Sequence, residues 1–163
     1  SGLEIYRNLN FTLAYTYSDF VYQEYTARTI EVDDLGNITE TDRDFGGNIV
    51  PSVPLHNLYL SLSWSVPLYR QISGFAKLSY TGVSGLWVDD ANTDKTAGYQ
   101  LLNGVLGLDM SFGDFSFMLS GSLNNMLDEV YVGFTNTNSA DRRFYEAGEP
   151  RNYFISANLG YRF

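Results

Sequence analysis

The sequence predicts an all-β protein, a transmembrane antiparallel β-barrel segment of about seven strands. Three observations lead to this prediction. Apolar and small polar residues alternate in long runs, short and long connections follow one another strictly, and charge is concentrated in the long connections. Aromatic residues reach 16% of the 163 residues while the mean hydropathy stays slightly negative. That combination suits strands with one apolar and one polar face, and no run approaches the ~20 apolar residues of a membrane-spanning helix.

The first long run shows the alternation that defines the strands. From Phe11 to Ser18 the apolar residues occupy every second position and Thr, Ala and Ser fill the others, which is the period of two of a strand. A short opening piece covers 3–6. The same alternation predicts the remaining strands at 58–66, 75–80, 103–112, 115–123 and 153–163. No segment has the periodicity of a helix.

The connections between these strands differ in length in a regular way. Short ones, which fit tight turns, cover 7–10, 67–71 and 112–115. Long ones cover 26–54, 84–98 and 127–151. Outer-membrane barrels have this layout, with short periplasmic turns and long external loops. The long segments hold fourteen of the 19 acidic and six of the ten basic residues, and therefore −8 of the net charge of −9.

Within the predicted spans charge is scarce and falls on the polar face. Lys77 and Asp109 both occupy the polar register, which would face the lumen. Nine aromatic residues lie near the predicted span ends, where girdles meet the headgroups: Tyr15, Tyr17, Trp64, Tyr80, Phe112, Phe115, Tyr153, Tyr161 and Phe163. The negative net charge would repel a phosphate backbone, so nucleic acid is not a partner.

Two alternatives fit parts of this pattern. A complete barrel of eight strands, acting as an adhesin or a structural membrane protein, would have about this length. Its eighth strand would lie within 26–54, where Ile30 and Val32 alternate. A secreted soluble β-sandwich that acts as a binding module would also alternate, but it has no reason to segregate charge to the connections.

The last predicted strand carries a possible assembly signal. Phe163 is its final residue, and Tyr161, Leu159, Ala157 and Ile155 occupy the alternate positions before it. This run resembles the β-signal by which outer-membrane barrels are recognised for insertion. The resemblance implies that the barrel assembly machinery is a partner.

Three upstream segments carry a second resemblance. They read VPSVPLH at 50–56, LNNMLDEVY at 123–131 and YEAGEPR at 145–151. In this order they resemble the Val-Pro-x-x-Pro-x-His, Asn-Leu-Phe-Asp-Lys-x-Tyr and aromatic-x-Pro-Gly-x-Pro-Arg motifs of TonB-dependent outer-membrane receptors. The segments SGLEI at 1–5 and GYQLL at 98–102 are also similar to that family, so the resemblance covers essentially the whole chain.

The resemblance implies a larger protein. Residues 1–163 would be the C-terminal portion of a 22-stranded barrel, with the plug domain and the N-terminal barrel strands absent. It implies a receptor, not an enzyme, in the cell outer membrane of a Gram-negative bacterium, for a scarce nutrient such as a ferric siderophore. The implied partners are outer-membrane lipid, the rest of the barrel and the plug, the TonB complex, and a small nutrient ligand.

Candidate ligand contacts lie in the long connections. Arg142 and Arg143 stand beside Phe144 and Tyr145. Guanidinium forks bind carboxylates and phosphates and aromatic rings cover apolar surface, so this group is a candidate for an anionic ligand; a salt bridge within the loop is the alternative. Trp87 is either a ligand-facing aromatic or part of a strand extended above the membrane, and we expect the extension.

Neither a metal site, a cofactor site nor a catalytic group is expected. Asp90, Asn92 and Asp94 have the spacing of the first calcium-loop ligands, but Lys95 stands where that loop requires glycine, so we expect a solvated acidic loop. His56 is the single histidine, and no acid stands at a spacing that suggests a catalytic triad.

Overall fold

The computed structural model describes residues 2–6, 8–32, 35–136 and 145–163. In chain order the strands are β1 (Gly2–Tyr6), β2 (Leu9–Tyr17), β3 (Thr26–Val32), β4 (Ile38–Asp44), β5 (His56–Tyr69), β6 (Ile72–Val83), β7 (Tyr99–Phe112), β8 (Phe115–Asn124), β9 (Val132–Thr135), β10 (Tyr145–Ala147) and β11 (Asn152–Tyr161). The described part of the chain contains no helix long and apolar enough to cross a membrane.

Seven of these strands form one antiparallel sheet in the order β1-β2-β5-β6-β7-β8-β11. The predicted fold class and strand number are therefore confirmed. The segment around Ile30 is a strand, as the eight-stranded alternative required, but β3 pairs with β4 in a separate hairpin. It adds no strand to the main sheet. β9 and β10 form a second small hairpin that alternation did not predict, since they have only four and three residues.

The register places the predicted apolar positions together on one face of the sheet, which we call the outer face. One row across six strands comprises Phe11, Leu62, Leu78, Gly104, Leu123 and Tyr153. The adjacent row on the opposite, inner face comprises Thr12, Ser61, Ser79 and Asn103. Because one register shift would move every side chain to the other face, this agreement across all six strands fixes the pairing.

Aromatic side chains line the ends of the outer face. The eight predicted girdle residues that belong to strands all lie in outer-face rows. The ninth, Phe163, packs edge-on against Tyr161, with ring centroids 5.0 Å apart. At the end of the sheet that carries the long connections, the rings of Tyr15 and Tyr17 lie beside His56. Aromatic rings at both ends of an apolar face are typical of a wall that meets lipid headgroups.

The strands differ in length from the prediction. β5 and β7 have 14 residues each, or about 46 Å, more than the ~9–11 residues that cross a bilayer. The turn expected at 67–71 is smaller, because β5 continues through Pro67 to Tyr69. A bulge lies between Pro67 and Tyr69, where the ladder can accommodate a residue without an amide donor.

Candidate functional site: the outer loops and the inner face

The three long connections come together in space. We call them L1 (18–55), L2 (84–98) and L3 (125–151). Hydrogen bonds join L1 to L2, L2 to L3 and L1 to L3. In the last of these, Ser52 and Thr135 share a hydrogen bond of 3.0 Å between their hydroxyl groups. The loops therefore contact one another at the end of the sheet from which all three extend.

L1 and L2 meet at the carboxylate of Asp90, which is only 8% exposed. Tyr22 donates to its Oδ1 at 2.7 Å and Tyr25 to its Oδ2 at 3.3 Å, while Asn48 donates to its main-chain oxygen at 2.8 Å. Burial and the hydrogen bond to Asp90 raise the pKa of Tyr22 to about 12. The negative charge of Asp90 raises the pKa of Tyr25. The expectation of a solvated acidic loop is thus wrong at Asp90, which is a buried acceptor.

A second contact between L1 and L2 runs through Asn92. Its Oδ1 accepts from the Ile49 amide at 2.7 Å, and its Nδ2 donates to the Ile49 carbonyl at 2.8 Å. The side-chain amide thereby pairs with both main-chain groups of one residue, as a strand partner would. Val88, fully buried, and Phe45, 8% exposed, add apolar burial in L2 and L1. L1 and L2 are therefore joined by polar contacts, and each loop contains a buried apolar side chain.

The acidic residues of L2 point to different partners. Asp89 accepts from the amide and hydroxyl of Thr93, Asp90 from the two tyrosines, and Asp94 from the Lys95 amide and from Tyr145. The three carboxylates therefore do not converge as calcium ligands would. Among the described residues there is no group of three or more His, Asp or Glu side chains that could hold a metal ion.

Tyr145 is the predicted ligand contact that the structure locates in L3. Its hydroxyl donates to Asp94 Oδ2 in L2, and this hydrogen bond, followed by burial, raises the pKa of Tyr145 to about 12. The Tyr145 hydroxyl therefore bonds to L2, while its main chain pairs with Thr135 of β9. Arg142, Arg143 and Phe144 lie outside the described residues, so the predicted cluster stays a prediction.

Trp87 lies in L2 rather than in an extension of a strand. β6 ends at Val83, and Trp87 forms only an isolated bridge with Lys95. The Lys95 Nζ lies 5.3 Å from the centroid of the indole ring, within the range of a cation–π contact. The main-chain oxygen of Trp87 also accepts from the Ser52 amide at 2.8 Å. The expected extension is wrong because residues 84–98 fold back on themselves and pack against L1.

The base of L3 is closed by Asn125, which is 3% exposed and has a φ of 48°. Its Oδ1 accepts from the Glu129 amide at 2.9 Å. Its Nδ2 donates to the carbonyls of Glu129 and Glu149, at 2.8 and 3.2 Å. One side chain thereby ties both ends of L3 together. In the sequence, the segment around Asn125 indicated only the family. The pair Asn124-Asn125 directly before a long connection is the feature that could have indicated this structural role.

Tyr131 completes the closure of L3. Its ring lies against Tyr99 at the start of β7, with centroids 4.6 Å apart. It also covers Gly148, where a Cβ would lie 2.2 Å from the ring. Arg151 and Asp128 form an exposed salt bridge of 3.6 Å across the same base. The two motif segments of L3 are therefore packed against each other.

The proposed assembly signal lies on the outer face at an edge of the main sheet. β11 pairs with β8 on one side only. Ile155 and Leu159 are 80% and 76% exposed, and Ala157 and Tyr161 occupy the same face. Phe163 is fully exposed beyond the end of the strand. This placement leaves the whole apolar run accessible to a partner or to lipid.

His56 also belongs to the outer face, where its Nδ1 hydrogen-bonds the Tyr15 hydroxyl at 2.8 Å. Ser61 is on the inner face, because it lies an odd number of residues away in the same strand. His56 and Ser61 therefore point to opposite sides of the sheet. The described ring contacts of His56 are with Tyr15 and Tyr17 at the end of the outer face.

The inner face is polar and carries little charge. Lys77 and Asp109 lie there, as the alternation predicted. Their neighbours across the strands are serine, valine and methionine: Lys77 pairs with Ser63 and Val105, and Asp109 pairs with Ser73 and Met118. Such a face suits a water-filled or protein-filled lumen.

A comparison with known families matches this geometry. A family model described as "TonB dependent receptor-like, beta-barrel" matches residues 1–126, which span β1 to β8 with L1 and L2. The match covers most of the chain and the greater part of the seven-stranded sheet. The chain therefore belongs to the TonB-dependent receptor family and is a segment of the β-barrel of an outer-membrane transport receptor.

Proposed function

We propose that residues 1–163 form the C-terminal part of the barrel of a receptor that imports a ferric siderophore across the outer membrane of a Gram-negative bacterium. Energy would come from the TonB complex, acting on a plug domain that lies outside these residues. The chain would supply barrel wall, three external loops and the assembly signal, and it would have no enzymatic activity. The observation that carries this proposal is the sheet with an apolar outer face and contacting loops at one end.

The unpaired edges support the larger barrel. β1 and β11 each have one neighbour in the main sheet, so each presents a row of main-chain donors and acceptors on its other side. In lipid every such group needs a partner, and only closed barrels provide one to all strands. An even strand number also characterises single-chain bacterial barrels, whereas this sheet has seven. Further strands from the same protein would complete it.

Intact mass tests the proposed domain arrangement. The denatured polypeptide isolated from its native membrane should have a mass several times 18.4 kDa. A mass near 18.4 kDa without a barrel-sized partner would contradict it and favour the small self-contained barrel. A mass near 18.4 kDa together with a co-purifying barrel-sized partner would indicate a split receptor.

Uptake tests the substrate. Cells that carry the full receptor, grown under iron limitation, should accumulate radiolabelled iron from a ferric siderophore panel, and the signal should vanish when the receptor or TonB is deleted. Cobalamin and oligosaccharides serve as competing substrates in parallel. Receptor- and TonB-dependent uptake of one of these, without iron uptake, would retain the transporter and reject the siderophore.

A further inference from the structure

The two short strands of L3, β9 and β10, which we together call the arm, bury none of their side chains. The three residues of β10 are all exposed, and those of β9 are exposed or half-buried. Among the described strands, β9 and β10 contact only each other. Segments with few buried contacts open at a lower free energy than the rest of a protein. The position of the arm therefore depends on its attachment to the other loops.

L1 and L2 are joined in a different way, through groups that are largely buried. Asp90 of L2 is 8% exposed and accepts from Tyr22 and Tyr25 of L1. The side-chain amide of Asn92 pairs with both main-chain groups of Ile49. Separation of these loops would remove several partners from part-buried polar groups at once, which is costly. L1 and L2 therefore form one block.

Exposed side-chain hydrogen bonds attach the arm to this block. The Tyr145 hydroxyl of β10 donates to Asp94 Oδ2 in L2. The Thr135 hydroxyl of β9 shares a hydrogen bond of 3.0 Å with the Ser52 hydroxyl in L1. Both contacts lie at the surface, where water can replace either partner. They can therefore break without leaving a buried polar group unsatisfied.

The base of L3 is fixed independently of the arm. Asn125 ties the two ends of the loop together, and the Tyr131 ring packs against Tyr99 of β7. Gly133 near the start of β9 and Gly148 directly after β10 lie against each other between this base and the arm, since a Cβ at Gly133 would be 2.8 Å from the Gly148 Cα. Glycine tolerates changes of φ and ψ that other residues resist, so this pair is suited to a pivot.

We propose that the arm opens and closes against the L1–L2 block, with Gly133 and Gly148 as the pivot and the hydroxyl groups of Tyr145 and Thr135 as the latch. The motion separates L3 from the other two loops while the contacts of Asp90 stay formed. It gives the receptor an opening that a ligand can enter without disturbing the link between L1 and L2. The motion belongs to the loops themselves and requires no particular transported ligand.

Distances between spin labels in the purified full receptor, with no ligand added, test the proposal. Residues 1–163 contain no cysteine, so labels can be attached at introduced cysteines once any cysteine elsewhere in the receptor is replaced by serine. Glu24→Cys with Phe134→Cys places one label on L1 and one on the arm. Glu24→Cys with Lys95→Cys places both labels on the block. The three replaced side chains are exposed.

Removal of the latch should change only the first distance. The double variant Tyr145→Phe, Thr135→Val lacks both hydroxyl groups and keeps the ring and the branched side chain. In pulsed electron paramagnetic resonance we expect the ratio of longer to shorter Glu24–Phe134 distances to rise about tenfold or more, because two hydrogen bonds of the closed state are lost. The Glu24–Lys95 distance should stay unchanged. Tyr17→Phe is the matched control, since it removes an exposed tyrosine–aspartate hydrogen bond, to Asp19, that does not involve the arm.

Two results would overturn the proposal. One is a Glu24–Phe134 distance that the latch variant leaves unchanged, which would show that these hydroxyl groups do not hold the arm. The other is an equal change in both distances, which would show that the three loops loosen together. Because the measurement uses neither a transported ligand nor TonB energy, either result is distinct from a failure of siderophore uptake.

Discussion

Asp90 is a charged residue whose partners come from a different loop. Its carboxylate accepts from Tyr22 and Tyr25, which lie 68 and 65 residues earlier in the chain. Hydrogen bonds to a charged acceptor contribute about 1.5–3 kcal/mol, and removal of one partner leaves the other unsatisfied. The residue is therefore a structural link between L1 and L2.

Replacement of Asp90 by Asn should loosen this link. The amide has one acceptor oxygen and no charge, so we expect exchange of the Ile49 amide hydrogen, which bonds Asn92 across the loops, to accelerate about tenfold. Hydrogen exchange with mass spectrometry measures this. Asp42→Asn is the matched control, since it removes an exposed ion pair with Arg28 that contributes ~0–1 kcal/mol. Equal exchange in the two variants would contradict the role of Asp90.

The contact of Tyr22 with Asp90 also predicts a pH dependence. The pKa of Tyr22 is about 12 in the folded protein against 10.0 for the unperturbed side chain. The folded state therefore prefers the protonated phenol, and this stabilisation is complete below pH 10 and is lost as the pH rises to 12. Tyrosinate absorbance of the wild type minus that of Tyr22→Phe should show a transition near pH 12, and in denaturant near pH 10. A transition near pH 10 in both conditions would reject the contact.

At the scale of elements, the two ends of L2 approach each other closely at Gly85 and Gly98, and we call this part the neck of L2. A Cβ at Gly85 would lie 2.1 Å from the Thr96 carbonyl oxygen, and one at Gly98 would lie 2.7 Å from the Val83 carbonyl oxygen. The two sides of the neck approach closely because both residues lack side chains. Their position also explains how residues 84–98 fold back over so short a distance.

Gly85→Ala should open this neck. Overpacking against main chain costs about 1–3 kcal/mol. The Thr96 amide, which donates to the Leu86 carbonyl at 2.9 Å, should then exchange faster by roughly tenfold or more. Gly121→Ala is the control, because its Cβ would have only one neighbour, 4.0 Å away on the outer face. Unchanged exchange at Thr96 in Gly85→Ala would show that the neck can relax.

β11 is the element to which the assembly signal is assigned. Deletion of Phe163 should lower the amount of heat-modifiable, folded receptor in the outer membrane several-fold while the membrane-free precursor accumulates. Because Phe163 is fully exposed, the loss cannot be attributed to a missing core contact. Phe134→Leu, at a 61% exposed aromatic in β9, should insert normally. Normal insertion of the Phe163 deletion would reject the signal.

The main sheet could be predicted from the sequence because apolar and polar residues alternate within each strand, independently of the other strands. Leu58 to Val66, for example, alternates without reference to any other part of the chain. The loops could not be predicted in this way. Two loop contacts, the hydrogen bond of Tyr22 to Asp90 and the closure of L3 by Asn125, join residues that are distant in the chain. Neither contact produces a repeating pattern in the sequence. Lys77 was placed correctly on the inner face by the same alternation.

At the scale of the whole molecule, the open sheet predicts that these 163 residues cannot insert alone. Behind a signal peptide, the segment should be degraded or remain aggregated in the periplasm, because both sheet edges would lack partners in lipid. Co-expression with the preceding part of the receptor should restore a heat-modifiable complex. A stable, folded monomer of the segment in the outer membrane would contradict the larger barrel.

The shared carboxylate of Asp90 has a consequence for protein engineering. Exchange of a single external loop between two receptors would separate Asp90 from its tyrosine donors. In this receptor L1 without its own L2 would leave Tyr22 and Tyr25 without this acceptor, and L2 without L1 would remove both tyrosine donors from the Asp90 carboxylate. The smallest cassette that keeps Asp90 with its tyrosine donors is therefore L1 together with L2, grafted as one piece onto β2, β5, β6 and β7.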